Sequence, residues 1–191
     1  MGKLIVLEGI DGSGKSTLIS ELKRRLPSAA FTREPTSSRW GKLLRAKLGG
    51  QQVNSSYQTL FFKDRLYHNK TFLRPSLEKH DLIISDRYYF STAAYQGGNQ
   101  NEARSIAKKY AAIARIVKPE LVIYLDIPVA ESIKRIRARN LAMESFEREE
   151  ELTRISENYK HLATYYSFKV FNALQEPEKI AAQVIDAVGA K

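Results

Sequence analysis

The sequence has 191 residues, of which 43% are hydrophobic, and this size suits one compact domain with a sizeable core. No apolar run approaches the roughly 20 residues that a membrane-spanning helix needs, so we expect a soluble, unprocessed protein. The absence of cysteine excludes disulfides and thiolate metal sites, which fits a cytoplasmic protein. A net charge of +10 predicts an anionic partner, whether nucleic acid, a membrane surface or a nucleotide.

Short apolar runs alternate with amphipathic segments, a pattern typical of a parallel sheet wrapped by helices. The predicted strands are, in chain order, Lys3–Glu8, Ala29–Arg33, Leu82–Ser85, Leu121–Asp126 and Phe168–Asn172. Two long helical candidates cover residues 54–78, with Pro75 near the end, and residues 142–166. No repeat or break in composition divides the chain. We therefore predict a single α/β domain over residues 1–191, with a five-stranded parallel sheet flanked by helices on both faces.

A glycine-rich segment follows the first predicted strand and precedes a predicted helix. Gly9–Ser16 fits the pattern G-x-x-x-x-G-K-[ST], whose backbone N–H groups turn inward on phosphates. Lys15 is expected to reach the β- and γ-phosphates, and Ser16 is expected to ligate Mg²⁺. The strand-to-helix setting disfavours a chance turn with an exposed lysine. The predicted nucleotide-binding residues are Gly9, Ile10, Asp11, Gly12, Ser13, Gly14, Lys15, Ser16 and Thr17, and they indicate a P-loop NTPase fold.

Charged side chains follow two of the predicted strands where each strand ends. Asp86 and Arg87 come directly after the third strand, and Arg33 ends the second. Because parallel strands end at one edge of a sheet, Asp86 can face Mg²⁺ and its waters there, and the arginines can fork onto phosphate. A purely structural reading, in which these residues cap strands and meet solvent, stays open from the pattern alone.

An aromatic ring and a guanidinium share one face of the helix predicted over residues 54–78. Phe61 and Arg65 are four residues apart, and a planar ring with a fork of donors suits a nucleobase that carries carbonyl acceptors. The same pattern also fits Phe61 and Phe62 as ordinary core residues. Spacing and composition do not decide between these readings.

The motifs, in this order, resemble the thymidylate kinase family. The resemblance is carried by Glu8–Ser16, Thr32–Pro35, Leu60–Phe62 with Asp64 and Arg65, and Lys118–Leu121 leading into Tyr124–Asp126; it is most specific from Asp86 to Gly97. It spans nearly the whole chain. It implies an enzyme that transfers the γ-phosphoryl group of ATP to dTMP, giving dTDP and ADP for dTTP synthesis. It further implies Mg²⁺ as cofactor, a homodimer built on the helices after the second strand, and a cytoplasmic location.

The resemblance implies roles on the base side of the acceptor site. Phe61 would stack on thymine, and Arg65 would address a carbonyl of the base. Ser91 would line the base pocket. Each role agrees with the chemistry that the side chain offers.

The resemblance also implies roles on the sugar and phosphate side. Arg87, with Arg33 nearby, would hold the acceptor phosphate. Asp11 would bond the 3′-hydroxyl of the sugar. Tyr95 would crowd the position of a ribose 2′-hydroxyl and so favour deoxynucleotides.

Lid arginines are the remaining catalytic candidates, because no basic residue precedes Lys15 in the phosphate loop. The lid is expected at about residues 138–148. Arg135, Arg137 and Arg139 lie at the end of the helix predicted to begin near Val129, and they resemble the arginines of the family's lid. A solvated basic helix face explains them equally well. Together with Lys15 and Arg87, they form the predicted catalytic set.

Two positions depart from the pattern of the family. Ser145 stands where relatives carry an arginine, so Arg148 or Arg154 could substitute as the closing residue. Thr36 stands where the Arg-Glu-Pro motif is usually followed by glycine, so the local turn is expected to differ.

Two other functions compete with this reading. One is a kinase of another nucleoside monophosphate or of a nucleoside, and the other is a P-loop module that binds nucleotide and nucleic acid to regulate. The charges that can be placed converge on two phosphate sites rather than forming a stripe, so ATP and dTMP are the predicted partners, with no nucleic acid and no membrane. The three histidines, His68, His80 and His161, are predicted to be surface or packing residues.

Overall fold

The computed structural model describes residues 2–48, 57–138 and 147–189. Within these ranges the sheet has five parallel strands in the order β2-β3-β1-β4-β5. The strands are β1 (Lys3–Glu8), β2 (Ala30–Arg33), β3 (Leu82–Asp86), β4 (Leu121–Asp126) and β5 (Lys169–Asn172). All five predicted strands are confirmed; β1, β3 and β4 are mostly buried, as a near-continuous apolar run predicts, whereas the edge strands β2 and β5 are more exposed.

Helices connect and cover the strands. In chain order they are α1 (Lys15–Arg25), α2 (Arg39–Leu48), α3 (Gln58–His68), α4 (Arg74–Lys79), α5 (Tyr89–Gln96), α6 (Gln100–Ala111), α7 (Val129–Arg137), α8 (Glu147–Tyr165) and α9 (Pro177–Val188). Of the predicted lid, residues 139–146 lie outside the described ranges, and Arg139 is among them.

The central strands are buried on both faces. Residues Leu4–Glu8 of β1 are all buried, although successive side chains point to opposite sides. On one side α1 packs against α9, while α5, α6 and α8 pack together as a second group. In the described part of the chain, no helix has both the length and the apolar character needed to cross a membrane.

The functional edge of the sheet lies where the strand order reverses. From β1 the chain runs to β2 and β3 on one side, and then to β4 and β5 on the other. The register sets Asp86 beside Leu7 of β1 and beside Arg33 of β2, so these strands end level with one another. Ligands of open parallel sheets bind beyond the strand ends at such a reversal. The fold therefore directs the site to the residues that follow β1 and β3.

A π-helical turn over Asn69–Leu73 joins α3 to α4. In this turn the N–H of Arg74 donates to the carbonyl of Asn69, five residues back. Pro75 follows at once, and in a regular helix its ring would press on the carbonyl four residues earlier. The wider turn relieves that contact. The helical path therefore continues to Lys79.

Candidate active site

The phosphate loop wraps around the ammonium group of Lys15. Its Nζ donates to the carbonyl oxygens of Gly9 at 2.8 Å and Ile10 at 2.9 Å, and to the Ser13 hydroxyl at 3.2 Å. Lys15 is the first residue of α1, whose partly positive N-terminus faces the same space. A cation and a helix terminus thus point at the position of a bound phosphate chain.

Helix α7 closes over the other side of the loop. The Ser132 hydroxyl donates to the carbonyl of Asp11 at 2.6 Å. Gly12 has a φ of 77°, and a Cβ atom there would lie 2.7 Å from the carbonyl oxygen of Ser132. The loop therefore has no room for a basic side chain at position 12.

The electrostatic environment of Lys15 disfavours its charge. Burial lowers the pKa of Lys15 to about 7, and the positive charge of Arg87 acts in the same direction. The carboxylates of Asp11, Asp86 and Glu8 oppose this shift without cancelling it. Phosphate oxygens beside the ammonium would favour the charged form and raise the pKa again.

Arg87 crosses from the end of β3 to the phosphate loop. Its backbone is left-handed, with a φ of 67°, a conformation that costs about 1–3 kcal/mol in a residue with a side chain. Its N–H donates to the carbonyl of Leu7 at 2.9 Å, and Nη2 donates to Asp11 Oδ1 at 2.6 Å. Nη1 donates to the Ser91 hydroxyl at 3.1 Å and to the Gly9 carbonyl at 3.2 Å. The sequence predicted Arg87 and Asp11 as site residues but not this ion pair.

Tyr95 lies against the same pair. The Arg87 guanidinium carbon is 5.2 Å from the centre of the Tyr95 ring. Burial raises the pKa of the Tyr95 hydroxyl, while the charge of Arg87 lowers it and that of Asp11 raises it. The structure therefore brings Asp11, Arg87 and Tyr95 together at the predicted sugar and phosphate side.

Sequence reasoning assigned no role to Glu8, the last residue of β1. One oxygen of its buried carboxylate accepts the N–H groups of Tyr88 at 2.9 Å and Ser91 at 3.2 Å, at the start of α5. The other accepts the hydroxyls of Ser91 at 2.5 Å and Tyr159 at 2.9 Å. Burial raises the pKa of Glu8. Glu8 thus caps the helix that carries Ser91 and Tyr95. In the sequence, the available signal for a role of Glu8 was its position directly before Gly9, the first residue of the phosphate loop.

Arg65 is buried and is held by a second carboxylate. Its Nε and Nη2 donate to Glu34 Oε2 at 2.9 and 2.6 Å, and Nη2 also donates to the Thr92 hydroxyl at 3.0 Å. The guanidinium lies between the rings of Tyr88 and Tyr110, at 5.4 and 4.5 Å. Among the described residues, Nη1 has no hydrogen-bond partner.

The structure separates the two adjacent phenylalanines of α3. Phe62 packs against the core, with its ring centre 6.4 Å from that of Tyr110. Phe61 is half-buried and lies outside the core cluster of the described residues. Phe61 and Arg65 lie one helical turn apart on α3, as predicted. A partly open ring next to a buried guanidinium is the arrangement that a planar base would need.

The predicted metal ligands are Ser16, in the first turn of α1, and Asp86, at the end of β3. Ser16 is exposed in the first turn of α1, next to the exposed Thr17. Asp86 ends β3, and its Oδ1 atom is buried without a hydrogen-bond partner in the described part of the chain. One hydroxyl and one open carboxylate oxygen are hard oxygen ligands, which suit Mg²⁺ completed by phosphate and water. Arg33, the last residue of β2, is exposed beside Asp86.

A cavity of about 270 Å³ adjoins the end of the phosphate loop at Gly14. Its lining includes Gly14, Arg135 and the segment from Ala173 to Pro177, after β5. Arg135 spans the cavity, donating from Nε to Glu131 at 3.1 Å and from Nη1 to the Ala173 carbonyl at 3.2 Å. The sequence singled out Arg135 but missed residues 173–177, which carry no motif.

The other candidate arginines differ in their surroundings. Arg137 is exposed at the end of α7, and the side chains of Arg139 and Arg148 lie outside what the structure describes. Arg154 donates to the carbonyls of Gly97 and Tyr95. Its partners are at the C-terminal end of α5, so it supports the helix that carries Tyr95.

The unusual Thr36 has a local explanation. Its N–H and hydroxyl donate to the buried carboxylate of Asp64 at 2.8 and 2.6 Å. The Ser38 hydroxyl donates to the same carboxylate at 2.5 Å. Asp64 therefore fixes the turn after β2, and the adjacent Arg65 reaches Glu34 just before that turn.

A phosphate loop at the reversal point of a parallel sheet defines the P-loop nucleotide-binding class. Within that class, the chain belongs to the thymidylate kinase family. A sequence model of the family, described as thymidylate kinase, matches residues 7–184.

Relatives agree with this assignment along nearly the whole chain. A "Probable thymidylate kinase" of Thermococcus kodakarensis is 37% identical, covering 95% of this chain and 94% of that protein. A "Thymidylate kinase" of Prochlorococcus marinus is 35% identical, covering 96% and 94%. A "Probable thymidylate kinase" of Pyrobaculum aerophilum is 36% identical, covering 96% and 95%.

Nucleotide binding should be coupled to proton uptake by Lys15. Because the pKa of Lys15 is about 7 in the free protein, the side chain is mostly neutral at about pH 8.5, and phosphate restores its charge. We expect close to one proton (~0.9) to be taken up per MgADP bound at that pH. Titration calorimetry in two buffers of different ionisation enthalpy measures this number.

The control for proton uptake is Lys15→Arg, whose guanidinium is charged in both states. Its binding heat for MgADP should be the same in both buffers. The prediction is contradicted if the wild-type protein gives the same observed binding heat in both buffers once the heat of dilution has been subtracted.

Proposed function

We propose that this protein transfers the γ-phosphoryl group of ATP to dTMP, giving dTDP and ADP. The observation that carries the proposal is the ion pair between Arg87 and Asp11, which joins the acceptor-side arginine to the donor phosphate loop at 2.6 Å. An arginine in this position can bind an acceptor phosphate next to the phosphates of the donor. Family membership supports thymidylate as that acceptor.

The reaction asks the protein mainly for alignment and positive charge. The attacking group is a phosphate oxygen of dTMP, which is largely dianionic near neutral pH because its second pKa is ~6, so no general base is required. Lys15 neutralises charge on the donor phosphates, and Arg87 aligns the acceptor phosphate with help from Arg33. Arg135, Arg137 and Arg139 are proposed to add charge from the donor side.

The acceptor nucleoside is proposed to lie between α3 and α5. Support comes from the half-buried ring of Phe61, which offers a stacking surface, and from Nη1 of Arg65, which has no partner among the described residues and can donate to a base carbonyl. Ser91 borders this space. Asp11 would accept a hydrogen bond from the 3′-hydroxyl, and Tyr95, next to it, would exclude a 2′-hydroxyl.

The base of ATP is proposed to occupy the cavity between Arg135 and the segment after β5. A volume of about 270 Å³ beside Gly14 has room for a purine, and a planar guanidinium can stack on one. Residues Gly9–Thr17 would bind the phosphates. The donor and acceptor would then meet over Lys15.

Magnesium is the proposed cofactor. Ser16 and Asp86, the latter directly or through water, are the residues that would hold it, and the open oxygen of Asp86 supports this choice. A magnesium ion held by these residues would reduce the negative charge on the donor phosphates. The cytoplasm is the proposed location, consistent with the absence of cysteine.

A homodimer is proposed on the helices after β2. Leu43 on α2 and Tyr67 on α3 are 45% and 49% exposed on two helices that pack together, and exposed apolar side chains that form one contiguous patch mark an interface. Sedimentation velocity should give a mass near twice 21.7 kDa, and a monomer at micromolar concentration would contradict this part of the proposal.

An acceptor array tests the activity itself. ATP consumption with Mg²⁺ is measured for dTMP, dUMP, dCMP, AMP and thymidine, and dTMP should be the fastest. Lys15→Ala should lower kcat at least ~100-fold, since the main donor-side cation is lost. Lys23→Ala, an exposed lysine on the same helix, should leave kcat unchanged.

Two results of the array would contradict the proposal. Faster turnover of another acceptor would overturn the assignment of dTMP. ATP hydrolysis without any acceptor, together with salt-sensitive binding of polynucleotide, would favour a regulatory P-loop module instead.

Arg135→Met should weaken the donor site alone. Loss of stacking on the purine should raise KM for ATP ~10-fold and leave KM for dTMP within about 2-fold. Lys134→Met is the control, because this neighbouring side chain is 80% exposed. Steady-state kinetics with each substrate varied in turn measure both constants. An unchanged KM for ATP would remove Arg135 from the donor site.

A further inference from the structure

The two carboxylate oxygens of Glu34 have different hydrogen-bond partners. Oε2 accepts both hydrogen bonds from Arg65. Oε1 lies 2.9 Å from Nδ1 of His68. The three side chains are buried, with exposed fractions of 4% for Glu34, 1% for Arg65 and 2% for His68. His68 is therefore linked to Arg65 through a shared buried carboxylate.

The hydrogen bonds of His68 show which ring nitrogen carries the proton and how the ring is oriented. An ionised carboxylate can only accept, so Nδ1 of His68 carries a proton and donates to Glu34. The opposite ring nitrogen, Nε2, lies 2.7 Å from the hydroxyl of Thr32 on β2. The ring also stacks on Phe72, with centres 5.8 Å apart. Thr32 and Phe72 thus hold the imidazole in one orientation, and the imidazole holds Oε1.

One donor of Arg65, Nη1, has no acceptor among the described residues. Nε and Nη2 are taken by Glu34 and Thr92, whereas Nη1 is buried without a partner among the described residues. An unmatched buried donor is costly, and it is kept where a ligand supplies the acceptor. If Oε1 of Glu34 had no partner, the carboxylate could rotate and accept a hydrogen bond from Nη1 of Arg65 in place of the ligand.

We propose that His68 is a positioning residue for recognition of the acceptor base. By occupying Oε1, it restricts Glu34 to the Nε and Nη2 edge of Arg65, and Nη1 stays available for a carbonyl of the base. This inference rests on the proposed function, in which Arg65 contacts the base. His68 itself does not touch the substrate.

Two amide substitutions separate the two hydrogen bonds of His68. His68→Asn puts a donor near the position of Nδ1 and keeps the contact with Glu34. His68→Gln puts its amide near the position of Nε2 and keeps only the contact with Thr32. Both lose the stacking on Phe72, so thermal unfolding should change to a similar extent in the two variants. Each variant therefore loses the stacking and one of the two hydrogen bonds, and only His68→Gln loses the bond to Glu34.

The expected result is a split between the kinetic constants. His68→Gln should raise KM for dTMP ~10-fold, the effect of a lost hydrogen bond to a charged group, with kcat and KM for ATP within about 3-fold. His68→Asn should stay within about 3-fold of wild type for all three constants. Equal KM values for dTMP in the two variants, or an equal rise in KM for ATP, would overturn the proposal.

Further variants keep the test decisive. Arg65→Met should raise KM for dTMP at least as much as His68→Gln; a smaller effect would refute the role of Arg65 on which this inference rests.

If neither His68 variant folds, the near-isosteric Thr32→Val removes the hydrogen bond between the His68 ring and β2. It should raise KM for dTMP ~3-fold, and no rise would overturn the link between His68 and Arg65. A wild-type protein inactive on dTMP contradicts the proposed function, whereas an active one with indifferent variants contradicts only the role of His68.

Discussion

The buried carboxylate of Glu8 is the interaction on which the arrangement of the site depends. It lies between β1 and the phosphate loop, and it binds the first N–H groups of α5 and the hydroxyl of Tyr159 on α8. A carboxylate is tolerated in the interior only when its oxygens are satisfied. The strand that precedes the phosphate loop and the helix that carries Ser91 and Tyr95 must therefore meet before Glu8 can be buried.

The same principle governs the cations around the acceptor space. Arg87 is paired with Asp11 and Arg65 with Glu34, so each guanidinium has a fixed orientation before a substrate arrives. Preorganised charge need not be rearranged during the reaction, which is the main advantage of a folded site over water. The left-handed backbone of Arg87 shows that the fold tolerates local strain to obtain this orientation.

Local sequence patterns predicted the strands, the helices and the phosphate loop. They could not predict contacts between residues that are far apart in the sequence. Strands β1 and β4 have the predicted ends, and the Gly9–Ser16 pattern marked the donor site, because both signals depend on neighbouring residues. Glu34 binds residues 31 and 34 positions away, and no periodicity reports such a contact. His68, predicted as a surface or packing residue, is buried and bonded to Glu34. Phe61 and Phe62 could be told apart only once the helix was oriented on the core.

The close contact between Gly12 and α7 limits how this enzyme could be redesigned. A phosphate-binding arginine cannot be grafted into the loop at position 12 by one substitution, because a side chain there would meet the Ser132 carbonyl and require a new backbone conformation. The graft would also need a relocated α7, and the bond from Ser132 to Asp11 would then be lost. The phosphate loop and α7 are thus one unit for engineering, to be exchanged between proteins together or left alone.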